Sequence, residues 1–235
     1  GALRSARVTD LIWKNVGAGM LGDSIRFDLR YDRDEGAPAS VVGKFPARDA
    51  VSRATGIDYG LYQTEVRFYQ EIAATVAVRA PKCYYADVDP ATGDFAVILE
   101  DLGPARQGNQ LTGCSLADAE QAMIPGAALH GPRWGEAGLR DIPWIASRAG
   151  TGQGVLDGMP DFIAEFHRRY DGILEPEFMA VADRYAANAL AFLGRDYAPL
   201  TLGHVDFRLD NMLFDARDGS VPLAVLDWQS VSVTA

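Results

Sequence analysis

The chain has 235 residues, 48% of them hydrophobic and 23% charged, an ordinary globular mixture with length for one large domain or two lobes and a sizeable core. Its net charge of -10 argues against nucleic acid as the main partner, because phosphate backbones are bound by basic surfaces. The same charge fits attraction of cationic small molecules, although solubility explains it as well.

Leu11, Ile12 and Trp13 precede a glycine-rich turn, Gly17-x-Gly19-x-x-Gly22. Ile25, Phe27, Leu29 and Tyr31 then alternate with Arg26, Asp28 and Arg30, the period of a half-buried strand. A loop over residues 32–40 leads to a second strand, Val41-Val42-Gly43-Lys44-Phe45, stopped by Pro46. The spacing of Leu61, Phe68, Tyr69 and Ile72 predicts one helix over residues 59–74, and Glu65 shares its apolar face, where a carboxylate needs a partner. Strands are expected at 81–86 and 95–99, and Glu100-Asp101-Leu102-Gly103-Pro104 reads as a connector between lobes. Helices follow at 115–130, where Ser115 is the N-cap and Pro125-Gly126 threatens a kink, and at 159–170 and 175–193. Residues 131–158 read as loop-rich, with Trp134 and Trp144. These two and Phe162 suit core packing or an apolar pocket.

Residues 202–229, LGHVDFRLDNMLFDARDGSVPLAVLDWQ, read as strand, polar loop, strand, turn, strand, with His204, Asp206, Asn211 and Asp227 at strand ends. This pattern suits phosphoryl transfer on magnesium: one Asp orients a hydroxyl and takes its proton, while Asn211 and Asp227 hold the metal. His204 fits better as a loop residue bonded to backbone than as a base. Upstream, the glycine turn is followed by a strand rather than a helix, which fails the dinucleotide-fold context and fits a hairpin covering phosphates. Lys44 ends an apolar strand within reach of phosphates, and Glu65 is its natural ion-pair partner, with Glu71 as competitor. No HExxH, Cys/His cluster or GxSxG supports zinc or serine hydrolysis. Cys83 and Cys114 form no metal spacing, so two ordinary thiols in a reducing cytoplasm are expected. No apolar run approaches the ~20 residues of a membrane span.

The segments LGHVDFRLDNMLFD and VLDWQ closely resemble the aminoglycoside phosphotransferase / choline kinase-like family, the small-molecule branch of the protein-kinase fold. VVGKF, the helix bearing Glu65, and AVILEDLG are similar to its nucleotide lobe and hinge. The resemblance implies an α+β bilobal protein kinase-like fold. A β-rich nucleotide-binding N-lobe would span residues 1–102, and a mainly helical catalytic C-lobe residues 103–235. Members usually continue with further helices, so the C-lobe is expected to be incomplete at its C-terminus. It further implies Asp206 as catalytic base with His204 beside it, and Asn211 and Asp227 as Mg2+ ligands. Lys44 would contact the α- and β-phosphates, held by Glu65, under the loop of Gly17, Gly19 and Gly22. Backbone near Glu100 to Leu102 would meet the adenine. The expected cosubstrate is ATP, with GTP as the alternative, and the partner a small-molecule hydroxyl acceptor. Aminoglycosides, choline-like amines, sugars, steroid-like alcohols and hydroxyacyl thioesters all fit. Val205 stands where the family usually has glycine, and a β-branched residue there restricts the backbone. The rival readings are a nucleotide-binding module without phosphotransfer and a metal-dependent phosphohydrolase.

Overall fold

The structure is a computed structural model that describes residues 5–18, 21–146, 149–193 and 198–234. The alternating N-terminal segments build a five-stranded sheet from β1 (Val8–Ala18), β2 (Gly22–Tyr31), β3 (Ser40–Pro46), β4 (Cys83–Val88) and β5 (Phe95–Glu100). Its order is β1-β2-β3-β5-β4, and every neighbouring pair is antiparallel. The strand bearing Lys44 is therefore central, with Ser24 and Val97 as its cross-strand partners.

Between β3 and β4 lie α1 (Ala50–Asp58), α2 (Leu61–Arg67) and a π-helical turn over Phe68–Ile72. The single helix expected at 59–74 is thus broken up, and α1 precedes it. Gly60 at φ 63° divides the two helices, a left-handed conformation open to glycine without a Cβ clash. Asp49 starts α1 by accepting the Ser52 N–H at 2.8 Å. Tyr62 and Val66 pack on Phe95, Val97 and Leu99, which seats α2 on the sheet.

The rest of the chain is mainly helical, so the architecture is α+β as expected. After β6 (Arg106–Gln107), α3 (Leu116–His130) is capped by Ser115, and Pro125 lies inside it without ending it. A short α4 (Pro143–Ala146) precedes α5 (Ala149–Tyr170) and α6 (Pro176–Leu193). Helix α5 begins ten residues before the predicted 159. Gly150, Gly152, Gly154 and Gly158 weaken helix propensity there and hide it from the pattern. Trp144 packs against the core, whereas Trp134 and Phe162 are exposed. An open groove of about 380 Å³ lies between α5 and α6, lined by Leu156, Met159, Ile163, Ala186 and Leu190 among others. Among the described residues no helix is long and apolar enough to cross a membrane.

Strands β7 (Thr201–Gly203), β8 (Met212–Ala216), β9 (Val221–Val225) and β10 (Ser232–Thr234) frame the polar loop. β8 pairs with β6 and β9, and β7 with β10. The largest core cluster joins the two halves: Phe68 and Ile72 from the π turn meet Leu129 of α3, Leu202, Val225 and Trp228. At its centre the Phe68 and Trp228 rings stack, with centroids 4.0 Å apart and planes 3° from parallel.

Both rings are fully buried. Trp228→Ala is therefore expected to lower unfolding free energy by about 3–5 kcal/mol, read as a lower urea midpoint, with Trp228→Phe costing less. An unchanged midpoint for Trp228→Ala would show that the halves are joined elsewhere.

Candidate active site

Lys44 extends from the central strand to two carboxylates. Its Nζ lies 2.6 Å from Glu65 Oε1 and 2.9 Å from Asp227 Oδ1. The first partner comes from α2 and the second from the loop after β9, so one ammonium joins three separate parts of the chain. Burial opposes charging Lys44, but the two carboxylates outweigh it and hold the ammonium above its usual range. Burial pushes the Glu65 carboxyl up against the pull of Lys44. Glu71 is engaged elsewhere, with Arg67 at 2.8 Å and the Trp144 indole N–H at 2.7 Å.

Asp227 sits on left-handed backbone, φ 64° and ψ 64°, a region that Asp tolerates better than most residues. Its neighbours are pinned. Val225 N–H donates to the Arg79 carbonyl at 2.9 Å, and Leu226 N–H to the Asn211 carbonyl at 2.8 Å. The turn thereby sends Trp228 into the core and the Asp227 carboxylate toward Lys44.

His204 supports this turn from below. It is 2% exposed, and its Nε2 lies 2.8 Å from the Leu226 carbonyl. Its ring lies at 61° to Trp228, 4.6 Å between centroids. Burial holds its pKa below the ordinary 6.5, and Nδ1 has no partner among the described residues. A neutral imidazole that donates from Nε2 satisfies this setting.

Asp206 and Asn211 meet inside one short loop. Asn211 Nδ2 donates to Asp206 Oδ2 and to the Asp206 main-chain oxygen, both at 2.9 Å. The other carboxylate oxygen, Oδ1, faces Arg208 Nε at 3.2 Å. Val205, just before, has φ 68° and an exposed side chain. A β-branched residue in that region is strained, so the expected backbone restriction takes a specific form.

The glycine turn is described only in part. Gly17 lies opposite Ser24 and Gly22 opposite Pro46, while Gly19 lies outside the described residues. A Cβ at Gly22 would come within 3.0 Å of the Phe45 carbonyl oxygen. At the connector, the Glu100 carboxylate is consumed by Arg79 at 2.7 Å, Arg217 at 2.9 Å and the Lys82 N–H at 3.0 Å. Leu102 is buried, and its carbonyl accepts the Arg217 N–H at 3.1 Å. The Glu100 side chain is thus engaged within the protein. Arg79, Arg208 and Arg217 escaped the sequence reading. Only Arg208 carried a local signal, two residues from the proposed base.

Among the described residues no group of three or more His, Cys, Asp or Glu side chains forms a metal cluster. Asn211 and Asp227 nevertheless offer hard oxygen donors. With its amide nitrogen turned to Asp206, Asn211 keeps its amide oxygen free of hydrogen bonds to described residues. Two such donors plus phosphate oxygens suit Mg2+, which rarely takes an all-protein cage.

The sequence profile of the phosphotransferase enzyme family matches residues 46–234, and the chain belongs to that family. Among solved structures, the GDP complex of wild-type aminoglycoside 2'-phosphotransferase-IIIa is similar at 14% identity and a TM-score of 0.57, covering 97% of this chain and 69% of that one. The ADP-bound aminoglycoside phosphotransferase APH(2'')-Ib is similar at 15% identity and a TM-score of 0.56, covering 97% and 68%. These likenesses establish the protein kinase-like fold. No curated protein sequence matches the chain.

Two measurements follow. Val205→Gly relieves strain of about 1–2 kcal/mol, offset by about 0.5–1 kcal/mol of added backbone entropy. A small rise in the urea midpoint is expected, and a fall would show an unstrained turn. Below pH 6.5 the unfolded chain protonates His204 before the folded chain does. Stability is therefore expected to fall as pH drops through that value, and His204→Gln to flatten the slope in calorimetric scans. Equal slopes would exclude His204 as the titrating group.

Proposed function

We propose that this member of the phosphotransferase enzyme family transfers the γ-phosphoryl group of ATP, or of GTP, to a hydroxyl of a small molecule. The observation that carries the reading is the Lys44 ammonium clamped between Glu65 at 2.6 Å and Asp227 at 2.9 Å. A buried cation fixed between a helix carboxylate and a second carboxylate from the catalytic half is what a polyphosphate needs at its inner phosphates. The ADP and GDP held by the similar structures support a nucleotide as donor. The net charge of -10 favours a cationic acceptor.

In this reading Lys44 contacts the α- and β-phosphates, the hairpin of Gly17, Gly19 and Gly22 covers them, and main chain at Glu100 to Leu102 meets the base. Asn211 and Asp227 would hold Mg2+, which supplies neutralising charge beside the phosphates. Asp206 orients the acceptor hydroxyl and takes its proton as the oxygen attacks phosphorus. The bond from phosphorus to the bridging oxygen breaks, and its electron pair leaves with the nucleoside diphosphate. Positioning and preorganised charge supply most of the rate, because the protein does little covalent chemistry. His204 keeps a supporting role beneath the loop. A second reading, nucleotide binding without transfer, draws on the strained Val205 next to Asp206.

The test is a screen of aminoglycosides, amino alcohols and sugars with γ-labelled ATP and GTP in the presence of Mg2+. Label transfer is expected for the wild type, abolished by EDTA. Asp206→Asn is expected to lower kcat by about 10²–10⁴-fold with ADP affinity kept. Unchanged turnover in Asp206→Asn removes the base assignment. Nucleotide binding with no transfer to any acceptor or to water favours the second reading.

A further inference from the structure

We infer that the free edge of β1 pairs with the same edge of a second copy of this chain, about a two-fold axis through Ile12; the inference stands apart from the phosphotransfer reading. β1 is the outer strand of the five-stranded sheet and is paired with β2. It runs for 11 residues, and Leu11, Ile12 and Trp13 at its middle are 46%, 60% and 56% exposed. A long, open, apolar edge is a template for another strand unless something blunts it. The opposite edge of the sheet differs. β4 there has 6 residues, and the Gln70 side chain donates to its Ala86 carbonyl at 2.9 Å. Bulges also blunt edges, but those of β1 fall near its ends, where Thr9 and Val16 are skipped in the pairing with β2. Residues 10–15 between them keep regular register.

The main chain of that stretch is turned outward where a second strand needs it. Leu11 lies opposite Leu29, and the Leu29 N–H is spent on the Ala39 carbonyl, on the side away from β1. Leu11 therefore directs its own N–H and carbonyl to the free edge, and by alternation so does Trp13. At present the Leu11 N–H donates to the carboxylate of the preceding residue, Asp10, at 2.9 Å. With the axis at Ile12, Leu11 faces Trp13 of the second copy, once on either side of the axis. Each such pair exchanges N–H···O bonds in both directions.

Charge selects this register. It sets Asp10 opposite Lys14 of the second copy, twice over, and Ile12 opposite Ile12. Moving the axis to Leu11 would set Asp10 against Ile12 and Lys14 against Val8, and moving it to Trp13 would set them against Val16 and Ile12. Within its own chain Lys14 stands across from another cation, Arg26, which Asp28 and Asp101 already engage. A lysine on an edge normally keeps foreign strands away. Asp10 of a second copy turns that guard into a selective contact, because a strand without an acid at that height leaves the ammonium unmatched. On the other face the row formed by Leu29 and Leu11, then Trp13 and Phe27 of the second copy, is apolar throughout. The same patch serves both copies, as a closed dimer requires.

A contact of this size sits at the weak end of specific interfaces, so a dimer that dissociates at roughly micromolar concentration is expected. The measurement is sedimentation equilibrium on the whole chain, with urea midpoints confirming that each variant folds. Asp10→Lys and Lys14→Asp each replace two attractive pairs with two repulsive ones, and each is expected to raise the dissociation constant about tenfold or more. The two variants move the net charge in opposite directions, so general repulsion cannot account for both losing the dimer. The double variant Asp10→Lys with Lys14→Asp keeps the wild-type composition and restores opposite charges across the axis. Its dissociation constant is expected to return to within about threefold of wild type. The inference is overturned by a wild type that stays monomeric up to roughly 100 μM, by a dimer that either single variant leaves intact, or by a double variant as dissociated as the singles.

Discussion

One buried ammonium sets the terms for the rest of this fold. Lys44 lies on the central strand of the sheet, and burial alone would drive it neutral. It stays charged because Glu65 and Asp227 both reach it. Removing Lys44 would leave two carboxylates there without their cation, a loss of about 3–5 kcal/mol for buried pairs. Such an arrangement demands register. Ser24 and Val97 must flank Lys44, α2 must present Glu65 toward the sheet, and the strand before Asp227 must end at the right height. The ion pair is costly to desolvate, so packing stabilises the fold and the charges select one arrangement of it.

That arrangement is reinforced by layers that never touch the ammonium. Three residues after Glu65 the π turn over Phe68–Ile72 begins, which lays Phe68 on Trp228. Trp228 is the residue after Asp227. The helix that carries one carboxylate is therefore packed against the neighbour of the other, and the two cannot shift independently. His204 closes the same circuit from the opposite side by bonding the Leu226 carbonyl. A π turn is a rare interruption of a helix, and here its position follows from the need to turn Phe68 inward while Glu65 still faces the sheet.

Much of this frame was legible because it rests on local pattern. The alternation from Ile25 to Tyr31 gave β2, the lone Lys44 in an apolar strand demanded a partner, and Glu65 on an apolar helix face supplied one. Helix α1 was missed because its sequence lacks an apolar stripe, and only the Asp49 cap announced it. The three bonds that consume the Glu100 carboxylate come from Arg79, Lys82 and Arg217, up to 117 positions away. No periodicity reports a contact of that range. Val205 could be flagged as an unusual residue in its loop, but only the backbone shows what it costs.

The distribution of that cost carries the last step of the argument. Among the described residues, all five non-glycine residues with positive φ lie between positions 205 and 227: Val205, Asp215, Arg217, Asp218 and Asp227. Asp visits this region at modest expense, whereas Val and Arg do so at more. Val205 lies directly before the proposed base, and Arg217 grips the connector through both its N–H and its guanidinium. Asp215, Arg217 and Asp218 belong to the hairpin that joins β8 to β9, where positive φ is ordinary, so the strain that bears on the polar loop is that of Val205 and Asp227. It persists only where surrounding contacts over-determine the backbone, as they do around a preorganised site. The bonds converging on Asn211, Leu226 and Glu100 are the contacts that do so here. Rigid main chain holding Asp206 and Asp227 suits the proposed reaction, whose rate would rest on positioning and preorganised charge.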